Sequence, residues 1–293
     1  MKKLLAMAVT AAFMVSMLAG CGQSAETTDA SAQETAQETE TEAADEETAG
    51  TADAASEDTA ERTTFTVGFD AEFPPYGYMD ESGEYTGFDL ELAQEVCDRN
   101  GWELVKQPID WDSKDMELSS GAIDCIWNGF TMNGREDAYT FSVPYVDNSQ
   151  VFVVAADSGI TVFDDLAGKN VGVQKDSSAL AALEGDAAEL AATFGNLTQY
   201  SDYNTAFMDL EQGAIDALAI DVGVADYQIA SRGEGFVKLS ENLASEQYGI
   251  GFKLGNVELK DQVEKTLLEM ADDGTFGKIA EKYGLSDSVC LGK

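Results

Sequence analysis

Histidine is absent from the 293-residue chain, and that absence removes His-based catalytic triads and the common His-containing zinc sites. Basic residues are few: 17 Lys and Arg stand against 55 Asp and Glu, a formal net charge of −38. Phosphate binding needs a clustered basic surface, so nucleic acid is excluded as a partner. The acidic balance is chiefly solubilising and leaves cationic ligands open. Long apolar runs are also scarce. The run from Leu4 to Leu18 is too short to span a bilayer. Beyond Cys21, the thiols Cys97, Cys125 and Cys290 are dispersed and show no C-x-x-C pairing, so buried single cysteines are expected rather than a disulfide framework or a metal site. No cofactor is implied.

Lys2 and Lys3 precede the Leu4–Leu18 run, which suits a signal h-region. The run ends in Leu18-Ala19-Gly20-Cys21, which resembles the lipobox of bacterial lipoproteins. Cys21 would then become the lipid-bearing mature N-terminus, anchoring the protein outside the cytoplasm. The alternative is an ordinary secretory signal with a chance cysteine. From Gly22 to about Arg62 no aromatic residue occurs, and such a composition cannot bury enough surface to offset chain entropy. Residues 22–62 read as an acidic tether, extended by repulsion among its carboxylates.

The length suits two lobes of roughly 100 residues each. A strand over Phe65–Phe69 leads into a loop at Asp70–Gly77, and Phe88, Leu92 and Val96 recur at helical spacing before Asn100-Gly101. Trp102–Gln107 alternates as a further strand. Gly121-Ala122-Ile123-Asp124 is repeated as Gly213-Ala214-Ile215-Asp216, each copy leading into an apolar strand, and Val67-Gly68-Phe69 is answered by Val171-Gly172-Val173. The matched order points to two lobes of similar β/α build. Two extended stretches, Gln150–Val154 and Gln247–Phe252, are candidate crossovers. If both cross, residues 63–150 and 249–293 form one lobe and 151–248 the other, with a two-strand hinge and closing helices 259–272 and 276–283 on the first lobe.

In an open α/β sheet, ligands bind beyond the carboxyl ends of the strands. Those ends present Asp70, Asn128-Gly129, Gln174 to Ser178, and Asp221. A free amino acid carries a carboxylate and an ammonium on one carbon, so a site that excludes water must offer a guanidinium and a carboxylate. Arg135 is the arginine that follows a strand end, although spacing alone also permits a surface ion pair with Glu136 or Asp137. Asp221 is equally readable as a helix N-cap.

Resemblance decides between these readings. Phe73-Pro74-Pro75-Tyr76, Gly87-Phe88-Asp89-Leu90-Glu91-Leu92, Gly129-Phe130-Thr131, Phe141-Ser142-Val143-Pro144-Tyr145 and Gln247-Tyr248-Gly249-Ile250 resemble the family 3 solute-binding proteins of polar amino acid ABC transporters, from about Phe65 to Tyr283. The resemblance implies a two-lobe, type II periplasmic-binding-protein-like α/β fold with an interlobe cleft. It also implies an amino acid ligand, permease and ATPase partners in the membrane, and a monomer without catalytic activity. Arg135 and Thr131 map to the carboxylate clamp, with Asn128 and Gly129 offering backbone groups. Asp221 maps to the ammonium acceptor, Ser177 and Ser178 to the turn whose amides meet the carboxylate, and Gln174 to a side-chain contact. Three residues separate Thr131 from Arg135 where the family usually has four, a shortening that Gly134 permits.

Phe73, Tyr76 and Trp111 are placed to sandwich a ligand side chain, with Asp70 and Glu72 supplying negative charge. Rings with carboxylates favour a cation, so lysine, arginine or ornithine is expected ahead of glutamine and cystine. Two rivals remain: a cyclohexadienyl dehydratase-like enzyme on the same scaffold, with Glu72 as its acid, and a receptor's sensory domain.

Overall fold

The computed structural model describes residues 62–292, so Cys21 and nearly all of the expected tether lie outside the described residues. Strand β1 (Thr64–Phe69) is followed by a small antiparallel sheet of β2 (Glu72–Phe73), β3 (Gly77–Met79) and β4 (Tyr85–Thr86). Helix α1 (Phe88–Asn100) buries Phe88, Leu92, Ala93 and Val96 and stops at Gly101, whose φ of 72° is left-handed. β5 (Glu103–Pro108), α2 (Lys114–Ser120), β6 (Cys125–Ile126) and β7 (Tyr139–Phe141) complete the first run. The chain then enters β8 (Val146–Ala155), β9 (Asn170–Gln174), α3 (Ser178–Glu184), α4 (Ala188–Ala191), β10 (Asn196–Tyr200), α5 (Tyr203–Glu211), β11 (Ala217–Asp221), α6 (Val222–Arg232), β12 (Phe236–Lys238) and β13 (Ala244–Tyr248). It ends with β14 (Gly251–Lys253), α7 (Val257–Asp272) and α8 (Thr275–Lys282).

Two sheets result. The first has the order β5-β1-β6-β14-β7, and the second β10-β9-β11-β8-β12 with β13 also on β8. Pairing is parallel among β5, β1 and β6 and among β10, β9 and β11, and antiparallel elsewhere. The repeated Gly-Ala-Ile-Asp segment does the same work in each. Asp124 accepts the N–H of Thr66 at 2.7 Å and Asp216 that of Asn170 at 2.8 Å. Ile123 covers Gly68 and Ile215 covers Gly172, where a Cβ on either glycine would collide with the isoleucine. One device thus ties a helix-to-strand turn to the neighbouring parallel strand in both lobes.

The chain passes between the sheets twice, through 142–145 and through 249–250, and the two passages are bonded to each other: Tyr145 N–H donates to the Tyr248 carbonyl at 3.0 Å and Ser142 N–H to the Ile250 carbonyl at 3.0 Å. The first passage lies earlier than Gln150 because Gln150–Val154 is already paired with β11 in the second sheet. Phe276 of α8 packs on Phe88 of α1 with ring centroids 5.7 Å apart, placing the last helix on the first lobe. Cys97 and Cys125 are buried thiols, both pushed up in pKa by burial.

Candidate functional site

The carboxyl ends of β1, β6, β9 and β11 face one another across the cleft, and Phe73, Trp111, Gly129, Thr131, Arg135, Gln174, Ser177, Ser178 and Asp221 together enclose a cavity of about 10 Å³. That is room for roughly one water, and although Thr131, Arg135, Ser177 and Ser178 also border a neighbouring cavity of about 540 Å³ with Glu246, an amino acid that fills the space between Arg135 and Asp221 enters with the lobes apart. Asp70 lies just beside this cavity. Asn128 sits behind the wall: its Oδ1 accepts the Asp70 N–H at 3.1 Å.

At the first-lobe end, Arg135 follows Gly134, whose φ of 78° turns the short loop. Its guanidinium lies 5.0 Å over the Phe130 ring and donates to the Thr131 carbonyl at 3.1 Å. Among the described residues it makes no ion pair, with Glu136 and Asp137 included. A cation held by a ring and a carbonyl retains donors for an incoming carboxylate. The N–H of Gly129, expected to serve a ligand, is instead donated to the buried Asp89 at 2.6 Å. Gly129 has a left-handed φ of 56°, and a Cβ there would lie 2.8 Å from Phe73, so its contribution to the cleft is close approach rather than a free donor.

At the second-lobe end, Asp221 occupies the N-cap position of α6 yet makes no capping bond. Its carboxylate accepts from Tyr248 at 2.5 Å, Gln150 at 2.6 Å, Asn148 at 2.8 Å and Tyr203 at 3.2 Å. Burial, and then the charge of Glu246, raise its pKa from 3.8 to about 7. Glu246, Asn148, Gln150 and Tyr248 are functional-site neighbours that the sequence reading did not assign. Their signal is the two-residue spacing in Asn148-x-Gln150 and Glu246-x-Tyr248, which places each pair on one face of its strand. Ser177 caps α3, accepting from Leu180 N–H at 3.1 Å. Ser178 reaches Glu246 at 3.2 Å and receives the Thr131 hydroxyl at 3.2 Å across the cleft.

The side-chain end is acidic. Asp70 accepts from Gln174 of the other lobe at 2.7 Å and from Glu72 N–H at 2.8 Å, and burial raises its pKa to about 6. Outward from Asp70 and Trp111 runs a cavity of about 410 Å³ bordered by Glu72, Asp110, Glu117 and Asp202, with no lysine or arginine in its lining. Tyr76 does not stack there. It is buried against Phe73 and Tyr248, at centroid distances of 5.6 and 5.3 Å, with its hydroxyl against Gly223 of α6.

Residues 65–286 match the model of the bacterial extracellular solute-binding proteins, family 3. The chain belongs to this family. A curated relative, the L-cystine-binding protein TcyJ of Escherichia coli (strain K12), is 30% identical over 226 residues, covering 76% of this chain and 83% of its own. Among solved structures, an ABC uptake transporter substrate-binding protein from Streptococcus pneumoniae with bound histidine superposes with a TM-score of 0.74 at 34% identity, over 77% of this chain and 94% of that one. An ancestral arginine-binding protein bound to arginine gives 0.70 at 35% identity, over 76% and 99%. These relatives are transport binding proteins rather than enzymes, and their fold is the two-lobe type II fold seen here. No helix among the described residues is long and apolar enough to cross a membrane.

Proposed function

We propose that the protein is the extracytoplasmic binding component of an amino acid ABC transporter, tethered to the membrane through a lipid on Cys21 and presenting its ligand, as a monomer, to a permease and its ATPase. The observation that carries this reading is the pairing of opposite charges across one small cavity: an Arg135 guanidinium that makes no ion pair among the described residues on one side and the Asp221 carboxylate on the other. A zwitterion bridges them, its carboxylate on Arg135 and Thr131 and its ammonium on Asp221. Each contact involves a different lobe, so the ligand stabilises the closed form by interactions the open form lacks.

The ligand side chain then runs between Phe73 and Trp111 toward Asp70. The acidic lining of the cavity beyond favours a cationic side chain, and a terminal ammonium or guanidinium there would draw Asp70 into its ionised form. Lysine, arginine and ornithine are therefore ranked ahead of glutamine, cystine and histidine. A thermal-shift panel of free amino acids tests this, since a ligand that binds only the folded state raises its melting temperature. Shifts confined to the basic amino acids support the ranking. A shift with cystine or histidine alone overturns the side-chain assignment and keeps the transporter role, while turnover of a prephenate-like acid with no amino acid binding favours the enzyme alternative.

A further inference from the structure

Asp221 is not the only acid at the ammonium end. Glu246, a residue 7% exposed that also borders a cavity of about 540 Å³ with Arg135, Ser177 and Ser178, lies beside it, and the two share their donors. Asn148 Nδ2 donates to Asp221 Oδ1 at 2.8 Å and to Glu246 Oε1 at 2.7 Å, and Gln150 Nε2 donates to the same two oxygens at 2.6 and 2.8 Å. The register explains the cluster. Asp221 of β11 stands opposite Gln150 of β8, and Glu246 of β13 stands opposite Asn148 of the same strand. Residues two apart share a face of a strand, so all four side chains rise from one face of one sheet. Their proximity therefore does not depend on the lobes being shut.

The remaining neighbours do not neutralise the pair. Tyr203 from α5 and Tyr248 from β13 donate to Asp221. Thr131 from the first lobe and Ser178 from α3 donate to Glu246. Tyr76 lies close enough for both carboxylates to raise its own pKa, after burial. Arg135 lines the same small cavity as Asp221 and, with Asp176, Glu184 and Asp186, the larger cavity that Glu246 borders, but among the described residues it makes no ion pair; Asp226 of α6 is paired with Lys238. Among the described residues neither Asp221 nor Glu246 makes an ion pair, and the buried Asn148 Oδ1 and Gln150 Oε1 have no hydrogen-bond partner. A buried site with two carboxylates and two unfilled amide oxygens calls for more donors. Like charges this close in a buried setting do not both ionise without a counter-charge.

We propose that Glu246 is a second acidic residue of the ammonium end, which with Asp221 holds one proton when no ligand is bound and gives it up to solvent when a ligand ammonium takes its place. The exchange balances: a singly protonated pair plus R–NH3⁺ yields a doubly ionised pair holding R–NH3⁺, with one proton passing to the buffer. This rests on the amino-acid-binding reading above. Burial and the Glu246 charge raise the Asp221 pKa to about 7, which sets the window. Below it the empty pair is protonated and binding releases a proton. Above it the pair is already ionised and release vanishes.

Calorimetric titration of the full-length protein with L-arginine, in two buffers of different ionisation enthalpy, reads the proton count directly. About one proton is expected to leave the acid pair per ligand near pH 6, in addition to the fraction that Asp70, raised to about 6, gives up to the cationic side chain in wild type and variant alike, and almost none near pH 8.5, with affinity falling at least about tenfold per pH unit below pH 7. Glu246→Gln keeps the shape and most hydrogen bonds; burial alone still raises the Asp221 pKa, so the variant is expected to release about half a proton less than the wild type near pH 6 and to show a correspondingly shallower fall of affinity with pH. Wild-type protein that binds without releasing a proton near pH 6, or a Glu246→Gln protein whose release there equals that of the wild type, overturns the proposal. If no amino acid binds, the transporter reading fails and the pair is judged by carboxyl-carbon NMR of the ligand-free protein. A titration near pH 7 that moves toward the ordinary carboxylate range in Glu246→Gln supports the shared proton, and an ordinary aspartate titration in the wild type overturns it.

Discussion

The two ends of the cleft are built on opposite terms. At the first-lobe end the charge is a single guanidinium with one hydrogen bond and a ring beneath it. At the second-lobe end two carboxylates sit among neutral donors supplied by β8, α5 and β13. An arginine stays charged at any relevant pH, so its end needs no device to control its state. A buried carboxylate has a choice between ionising and keeping its proton, and its neighbours set that choice. The cleft therefore has one permanent anchor and one that responds to pH.

The comparison is sharpest when each anchor is removed. Arg135→Met is expected to cost a hundredfold or more in ligand affinity, about 3 kcal/mol, with little change in ligand-free melting temperature because the side chain has few protein partners; calorimetry and thermal melts read the two effects. Asp221→Asn is expected to reduce affinity by about tenfold to a hundredfold and to act oppositely on the empty protein. The folded-state pKa of Asp221 is raised, so the stability associated with its protonated form is fully present below the ordinary aspartate range and is lost as pH rises through about 7. The asparagine loses nothing over that interval. Its melting temperature should therefore exceed that of the wild type by roughly a few degrees at pH 8 and match it near pH 4.

Closure offers two smaller tests. A Cβ at Gly223 would collide with the Tyr76 hydroxyl from the other lobe, so Gly223→Ala is expected to hold the lobes apart and weaken binding by about tenfold, or about 1.4 kcal/mol. Small-angle scattering should then show no compaction on adding ligand. Lys114 of α2 is buried and pairs with Asp176, which is half-exposed and has a left-handed φ of 52°. With one partner in water the bond is screened, and Lys114→Met is expected to lower affinity only about threefold, less at high salt.

Much of this arrangement was legible in the sequence, and the limits follow from distance along the chain. Helix α1 could be bounded because Phe88, Leu92 and Val96 keep helical spacing and Gly101 ends it. The paired lobes were visible in the Gly-Ala-Ile-Asp echo because a local turn needs the same aspartate each time. Asp221 stood out by following an apolar strand and Arg135 by its scarcity and position. The acid pair did not, because Glu246 meets Asp221 only through the register of two strands on β8, 98 and 71 residues away from Asn148 and Gln150 respectively. Gly129 likewise read as a donor until Asp89, 40 residues earlier, was found to hold its N–H. Contacts across the cleft, such as Tyr76 on Gly223, carry no local pattern.

The proposed grip of a ligand's two α-groups by opposite lobes is measured most directly by ligand dissection. Binding of L-arginine is compared by calorimetry with agmatine, which lacks the α-carboxylate, and 5-guanidinovalerate, which lacks the α-ammonium. A loss of about a hundredfold or more is expected for each truncated compound, with the agmatine loss disappearing in Arg135→Met and the guanidinovalerate loss shrinking in Asp221→Asn. Agmatine or guanidinovalerate binding as tightly as arginine would contradict it.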